Sequence, residues 1–389
     1  MILCGAIMLN LDDPTRESVD WIRAFHAFAR REFALEIIDF DLLNGLIPTT
    51  QFDAIETPKF LLDTGRRLIA DSAGNRGVAD KLSGHLAVLE ALLGRVTPLH
   101  DYVTQTQNFT IQRFSMSQID GLRQRAEAAA RACHSNLQSM VFEKSPFGEA
   151  IIADTDEVKA LFNERFEAFR SEIEVLTGQT ITFEIEVSFV EIDEYWRFWV
   201  DGQGDRFRLR FNRFRDGFSI SQIDQFVLHE LIAHCGQASG WRNEIMAGRL
   251  DPIHGLTAIH TWEQAHLEGL AQAIPLFIDQ GISKELRARV LKDALRQALL
   301  HNAYIDTEAG MPPDQALANC DEVLPVEKRL RFYKTLADQK RHPQLRAYMF
   351  SYSTGLLALL EALGRDDFDR TEFLRKSFRR PLKLDQFLI

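Results

Sequence analysis

An α+β fold, mainly helical, is predicted for this 389-residue chain by three observations. Apolar residues recur at helical spacing through most of its length. Strand-like patterning is confined to one stretch, residues 181 to 211. A composition 46% hydrophobic supports one large or two ordinary domains with a substantial core.

The N-terminal run MILCGAIMLNLDDP is short, has no basic region before it and meets acids at once, so it is expected to pack as a buried strand or helix start, not to act as a secretory signal. Helices are then expected near 15 to 32, 56 to 72, 78 to 94 and 118 to 141. Pro146 and Gly148, in the stretch 143 to 156, mark a boundary between a helical N-terminal region, 1 to 150, and a catalytic region, 151 to 389. Residues 154 to 177 carry the clearest helix: Asp154 and Thr155 cap it, Val158, Leu161, Phe162, Phe166, Phe169, Ile173 and Leu176 repeat at helical spacing, and Gly178 stops it. Strands follow at Ile181 to Phe189, Tyr195 to Val200 and Phe207 to Phe211, with a turn at Asp201 to Asp205, giving a small antiparallel sheet beside the next helix. That helix is expected to start at Ser221, with Asp224 in its first turn, and to end near Gly236. Further helices are expected at 284 to 302, 312 to 321, 325 to 338 and 344 to 363.

Residues 229 to 234 read His-Glu-Leu-Ile-Ala-His. Neutral imidazoles are good Zn²⁺ ligands, and a Glu beside the first can take a proton from water at the metal. In the common form the histidines stand four apart on one helical face. Here the interval is five. A step of five turns about 500° around a regular helix, leaving His229 and His234 about 140° apart. A π-type bulge or a loosened last turn is therefore expected at the motif.

Catalytic zinc takes a third protein ligand. The segment after the motif offers His254, His260, Glu263, His266 and Glu268. Glu268, in a second helix-like stretch, is the preferred choice, with Glu263 and His266 as competitors whose alternative is a solvated face. Gln264 and Gln272, one turn either side of Glu268, are candidates to support the ligands from the same face. Cys235 follows His234 directly and is expected to point away from it.

HELIAH followed about thirty residues later by LEGLAQA, Leu267 to Ala273, resembles the QEGLA metallopeptidase-like family, which includes the microtubule-associated tyrosine carboxypeptidases. The resemblance implies His229, His234 and Glu268 as zinc ligands, Glu230 as general base and a zincin-like catalytic domain. Tyr348 to Tyr352 is similar to that family's Tyr-x-x-Gly-Tyr segment, with Ser351 in place of Gly, and Leu267 stands where the family has Gln. The dipeptidyl-peptidase III type shares the His-Glu-x-x-x-His pattern, but its second motif begins with a Glu pair farther downstream and fits less well.

The expected activity is therefore hydrolysis of a peptide bond by a zinc-activated water, one Zn²⁺ per chain. Tyr348 or Tyr352 is expected to stabilise the oxyanion, with Arg341, His342 and Arg346 as carboxylate clamps for a carboxypeptidase-type substrate. From Val323 onward fourteen Lys and Arg face eight Asp and Glu, which is either a solvated helical face or a source of such clamps. An ester or non-peptide amide substrate, and a non-catalytic protein with a structural metal, are the alternatives. A net charge of −11 argues against nucleic acid as a partner. No apolar run approaches the roughly 20 residues that span a bilayer, and Cys4, Cys133, Cys235 and Cys320 are scattered, so a cytoplasmic protein with reduced thiols and a peptide or protein substrate is expected.

Overall fold

Capping chemistry and apolar periodicity set most of the element boundaries in the computed structural model, which describes residues 8–9, 11–48, 57–143, 145–152, 154–192, 198–212, 218–324 and 340–387. In the N-terminal part the helices are α1 Asp13–Phe33, α2 Pro58–Asp71, α3 Arg76–Leu92, α4 Leu99–Gln107, α5 Met116–Ala132 and α6 Leu137–Phe142, with a two-residue strand β1 at Phe40–Asp41. Asp12, Thr57, Asn75, Ser115 and Asn136 each accept a backbone N–H with the side chain at a helix start. The single helix expected over 118 to 141 is two. His134 adopts a left-handed φ of 57°, and Asn136 accepts the Ser139 N–H at 2.8 Å to start a new helix. The nine-residue α4 is too short for its periodicity to be read from the sequence.

Helix α7, Thr155–Thr177, is capped by Asp154, which accepts from Asp156 and Glu157, and ends at Gly178 with φ 64°. Strands β3 Glu184–Val190, β4 Phe198–Gln203 and β5 Arg206–Asn212 come next; β2 Ile151–Ile152 pairs with β6 Phe218–Ser219 in a separate two-stranded sheet. Of the expected middle strand, Tyr195 to Arg197 lies outside the described residues. The turn is tighter than expected, because β4 runs on through Gln203 and only Gly204 and Asp205 connect it to β5.

The main sheet is mixed, which corrects the antiparallel expectation. Its order is β3-β5-β4-β1-β7, with β7 at Leu256–Thr257. β3 runs parallel to β5 and β1 parallel to β4, while β4–β5 and β1–β7 are antiparallel. A strand from the N-terminal region thus sits inside the sheet. The two faces differ sharply in chemistry. Phe207, Leu209, Phe211, Phe198 and Val200 are buried on one; Phe198 packs on Phe211 at 4.6 Å between ring centroids and on Phe226, which precedes the HELIAH segment, at 3.8 Å. The other carries Arg206, Arg208 and Arg210, opposite Gln203, Asp201 and Trp199 on β4.

The remaining helices are α8 Ile220–Phe226, continued by a π-helical segment Val227–Cys235 and α9 Gly236–Met246, then α10 Gln264–Ala273, α11 Lys284–Glu308, α12 Pro313–Ala318, α13 Leu345–Ala362 and α14 Arg370–Ser377. The helix expected at 325 to 338 lies outside the described residues. One large buried core takes in residues from Val19 in α1 to Phe387, and a small second cluster joins Ala130, Cys133 and Met140 to Ala288. Among the described residues no helix is long and apolar enough to cross a membrane.

Candidate metal centre

The helix carrying the motif starts two residues earlier than its sequence implies. Ser219, not Ser221, is the N-cap: its N–H donates to Gln222 Oε1 at 3.0 Å. Ser221 is held from outside, its N–H and hydroxyl donating to the Glu149 carboxylate at 2.9 and 2.7 Å. Nor does the helix end at Gly236. That residue has helical φ and ψ, and its missing Cβ leaves room for the rings and methyls of Phe378 and Ile181, so the glycine serves packing. Four residues on, Gly240 lies against the Phe378 backbone, and Trp241 donates to Ser377 O at 2.9 Å. The C-terminal segment thus clamps α9 and holds the helix continuous through the motif.

Residues 227 to 235 form π-helix, as the five-residue interval demands. The wider turn brings His229 and His234 to one face. Their Nε2 atoms lie 3.2 Å apart and the rings stand edge-to-face, centroids 4.8 Å apart. Glu268 reaches them from α10, with Oε2 3.6 Å from His229 Nε2 and Oε1 3.7 Å from His234 Nε2. Glu230 Oε1 is 4.0 Å from His229 Nε2. His229, Glu230 and His234 offer ligand atoms all within 4.8 Å of one another, a group that can hold a metal ion.

The electrostatics fit a cation at this point. Burial, with a backbone hydrogen bond to Ala271 acting against it, brings His229 down to about 4. Burial and the neighbouring His229 hold His234 well below its ordinary value. Both rings are neutral at pH 7, the form that ligates metal. Burial pushes Glu230 up to about 8, helped by the Glu268 charge, and burial pushes Glu268 up to about 8 against its tyrosine hydrogen bonds. Among the described residues no cationic side chain pairs with these two carboxyls beside the neutral imidazoles, and Glu268 Oε2 is buried with no hydrogen-bond partner. Two nitrogens and a carboxylate are a donor set that a metal ion would accept.

The tyrosines converge here too. Tyr348 donates its hydroxyl to Glu268 Oε1, and Tyr352 donates to the Tyr348 oxygen at 2.7 Å. Their approach depends on two glycines. α10 crosses α13 so closely that a Cβ on Gly269 would sit 2.6 Å from the Gly355 carbonyl carbon, and one on Gly355 would fall 1.9 Å from Ala265 O.

Other candidates go elsewhere. Glu263 is fully buried in an ion pair with Lys81 at 2.7 Å and also bonds His254 at 3.0 Å; Lys81 and His254 hold its carboxyl below the usual range despite burial. His260 pairs with His85 at 2.9 Å, and His266 Nδ1 accepts the Leu382 N–H at 3.2 Å. Gln264 and Gln272 do not support the ligand side chains, since they donate to the backbone carbonyls of Ala258 (3.0 Å), and of Glu268 and Tyr352 (3.2 Å each). Cys235 is buried with its thiol pushed up by burial. Cys133 and Cys320 are buried, and Cys4 lies outside the described residues.

The expected clamps separate. Arg346 donates to Thr97 O and pairs with Glu308 at 3.2 Å, with its guanidinium over the Tyr102 ring, so it holds α13 to the N-terminal part and to the end of α11. Arg341 is exposed and lines a cavity of about 620 Å³ with Arg95 and Lys340. Only His342 lines the large cleft, of about 1320 Å³, on the charged face of the sheet. Arg23 and Asp39 line it as well, and sequence reading passed over both. The readable signal was the alternation Arg206, Arg208, Arg210 with Phe207, Leu209 and Phe211, which marks a strand with one charged face.

Neither a protein-family model nor a curated protein matches the chain. Among solved structures it is similar to a protein titled a lipoprotein from Colwellia psychrerythraea, at 14% identity and a TM-score of 0.50, over 87% of this chain and 63% of that one. The likeness is one of fold, and the chain spans less than two thirds of that protein's length. Metallocarboxypeptidase 1 of Trypanosoma cruzi superposes at 12% identity and a TM-score of 0.34, over 96% of this chain and 75% of that one, too loosely to carry an argument.

Proposed function

We propose that this chain is a zinc-dependent peptidase with a zincin-like catalytic region, in which His229, His234 and Glu268 hold the metal and Glu230 is the general base. The observation that carries this reading is the convergence of two neutral imidazole nitrogens and a partnerless carboxylate oxygen from two helices, with a second carboxylate beside them. When bound, Zn²⁺ supplies a Lewis acid that polarises a carbonyl and brings the pKa of water toward neutrality.

The protein's own groups do the rest. Glu230, next to His229 in a site withdrawn from solvent, would be ionised by the charge of a bound metal, and would then take the proton of the attacking water and return it to the leaving nitrogen. Tyr348 orients Glu268 through its hydroxyl, and Tyr352, one turn along α13, fixes the Tyr348 hydroxyl in turn. When charge develops on the substrate oxygen, the same pair supplies donors for it. The carboxypeptidase-type clamp expected from Arg341 and Arg346 has no support in where those side chains lie, so the reading is peptide hydrolysis without a stated end preference.

Metal analysis of the purified chain together with Glu230→Gln tests the assignment. About one zinc per chain is expected in both proteins, with peptide hydrolysis lowered by about 10²- to 10⁴-fold in the variant. Hydrolysis at the parent rate would remove Glu230 from its role. Absence of bound zinc from both proteins would remove the centre.

A further inference from the structure

The cleft over the charged face of the sheet contains ion pairs that satisfy one another. Arg206 pairs with Glu184, Arg208 and Arg210 with Asp201, Arg30 with Glu36, and Arg23 with Asp41. Matched pairs leave little net field for a strongly charged ligand. Among the described residues of the wall, three buried polar atoms have no hydrogen-bond partner: Arg210 Nε, on a guanidinium already paired through Nη2, Arg23 Nη1 and Asp39 Oδ2. Arg23 is 7% exposed and donates through Nε and Nη2 to Asp41, but its buried Nη1 has no partner. Asp39 accepts a hydrogen bond from the Ile259 backbone, while its buried Oδ2 has no partner. The two residues are neighbours. Asp39 lies just ahead of β1, two residues from Asp41, the partner of Arg23, and all three line the cleft.

One unfilled N–H and one unfilled acceptor are the complement of a peptide unit, which offers one C=O and one N–H. Buried groups left in this condition cost stability, and such groups concentrate at binding sites. No residue of the proposed centre lines the cleft, but the two are linked through the start of α13. Asp39 is close enough for its charge to raise the proton affinity of Glu268, and His342 and Gln344 lead from the cleft directly into the helix bearing Tyr348.

We propose that this cleft is the substrate's main-chain subsite: Arg23 Nη1 donates to a peptide carbonyl and Asp39 Oδ2 accepts the N–H of the same or the adjoining unit of an extended peptide. The inference rests on the peptidase reading for its substrate class, and it sets amides apart from esters. An ester has no N–H to give Asp39, so the same pocket receives a depsipeptide less well.

The test is equilibrium dialysis of a random-sequence octapeptide pool at pH 8 against the full-length Glu230→Gln chain, zinc-loaded and chelated, read by mass spectrometry. Asp39→Asn and Arg23→Lys are added to it in turn. In the first, the Asn oxygen keeps the Ile259 bond and its NH₂ stands where Oδ2 accepted. In the second, the pairing charge for Asp41 is kept and the free Nη1 is lost. Retention of peptide by the parent chain, falling about tenfold in each variant with no fall in melting temperature for Asp39→Asn, is the expected result. Retention that is absent, or equal in all three proteins, overturns the proposal. Peptides retained in an Asp39-dependent way but never hydrolysed by the native chain would support the subsite and sink the metal-centre reading. Hydrolysis with an unchanged KM in Asp39→Asn would do the reverse.

Discussion

At the scale of single residues, the decisive facts are where a few polar atoms end up and what each one lacks. Tyr348 is bonded to Glu268 in the structure, so its hydroxyl both orients a proposed ligand and stands ready for substrate charge. Tyr348→Phe is expected to weaken zinc about tenfold, by zinc titration, and to lower kcat at saturating zinc by about 10²-fold; a kcat unmoved at saturating zinc would leave Tyr348 a positioning residue only. Asp39 gives a pH signature. Burial, with Asp201 and Glu36 nearby, raises its carboxyl from 3.8 to about 7, so the folded state holds that proton more tightly than the unfolded chain. Stability from this group is therefore full below about pH 4 and is lost as pH rises through 7. Asp39→Asn is expected to be more stable than the parent by on the order of 2 kcal/mol at pH 8, allowing for partial solvent access, with the difference vanishing near pH 4 in denaturant melts. Chemical type made the gathering of His229, Glu230, His234 and Glu268 at one place legible in the sequence. It misled for Arg346, because a guanidinium that serves a substrate and one that staples two helices look identical in a string of letters.

At the scale of elements, the five-residue interval between His229 and His234 foretold the π segment, since no regular α-turn puts both rings on one side. The helix limits were less legible. Ser219 and Ser221 both suit an N-cap, and only the engagement of Ser221 by Glu149 separates them. Gly236 reads as a stop, yet serves as a notch for Phe378. Gly269 and Gly355 are of the same kind: the spacing of α10 and α13, and with it the contact of Tyr348 with Glu268, depends on the lack of a side chain at both. Gly355→Ala would press a methyl into Ala265 O, so a loss of about 1–3 kcal/mol is expected in thermal or urea melts, together with weaker zinc binding as α13 moves away. A variant as stable as the parent would show that the crossing can widen without harm.

At the scale of the whole molecule, the N-terminal region is built into the framework of the proposed centre. β1 lies inside the sheet between β4 and β7, and Lys81 of α3 reaches Glu263 just ahead of α10 with both side chains fully buried. Replacing Lys81 by Met would leave Glu263 with only His254 in the interior, and a loss of about 3–5 kcal/mol is expected by thermal melting; a double change with Glu263→Gln should recover much of it. The sequence by itself determined what depends on near neighbours: a mainly helical chain with one strand cluster, most helix positions, and a His-Glu-x-x-x-His segment whose interval required a bulge. The tertiary structure alone decided the mixed sheet, the placement of Glu268, and not Glu263 or His266, beside the two imidazoles, the removal of two arginines from that place, and the cleft holding Arg23 and Asp39. Local preference acts over a few residues through backbone geometry and capping, whereas strand partners, buried ion pairs and convergent ligands join positions tens to hundreds of residues apart, and their distances exist only once the core has packed.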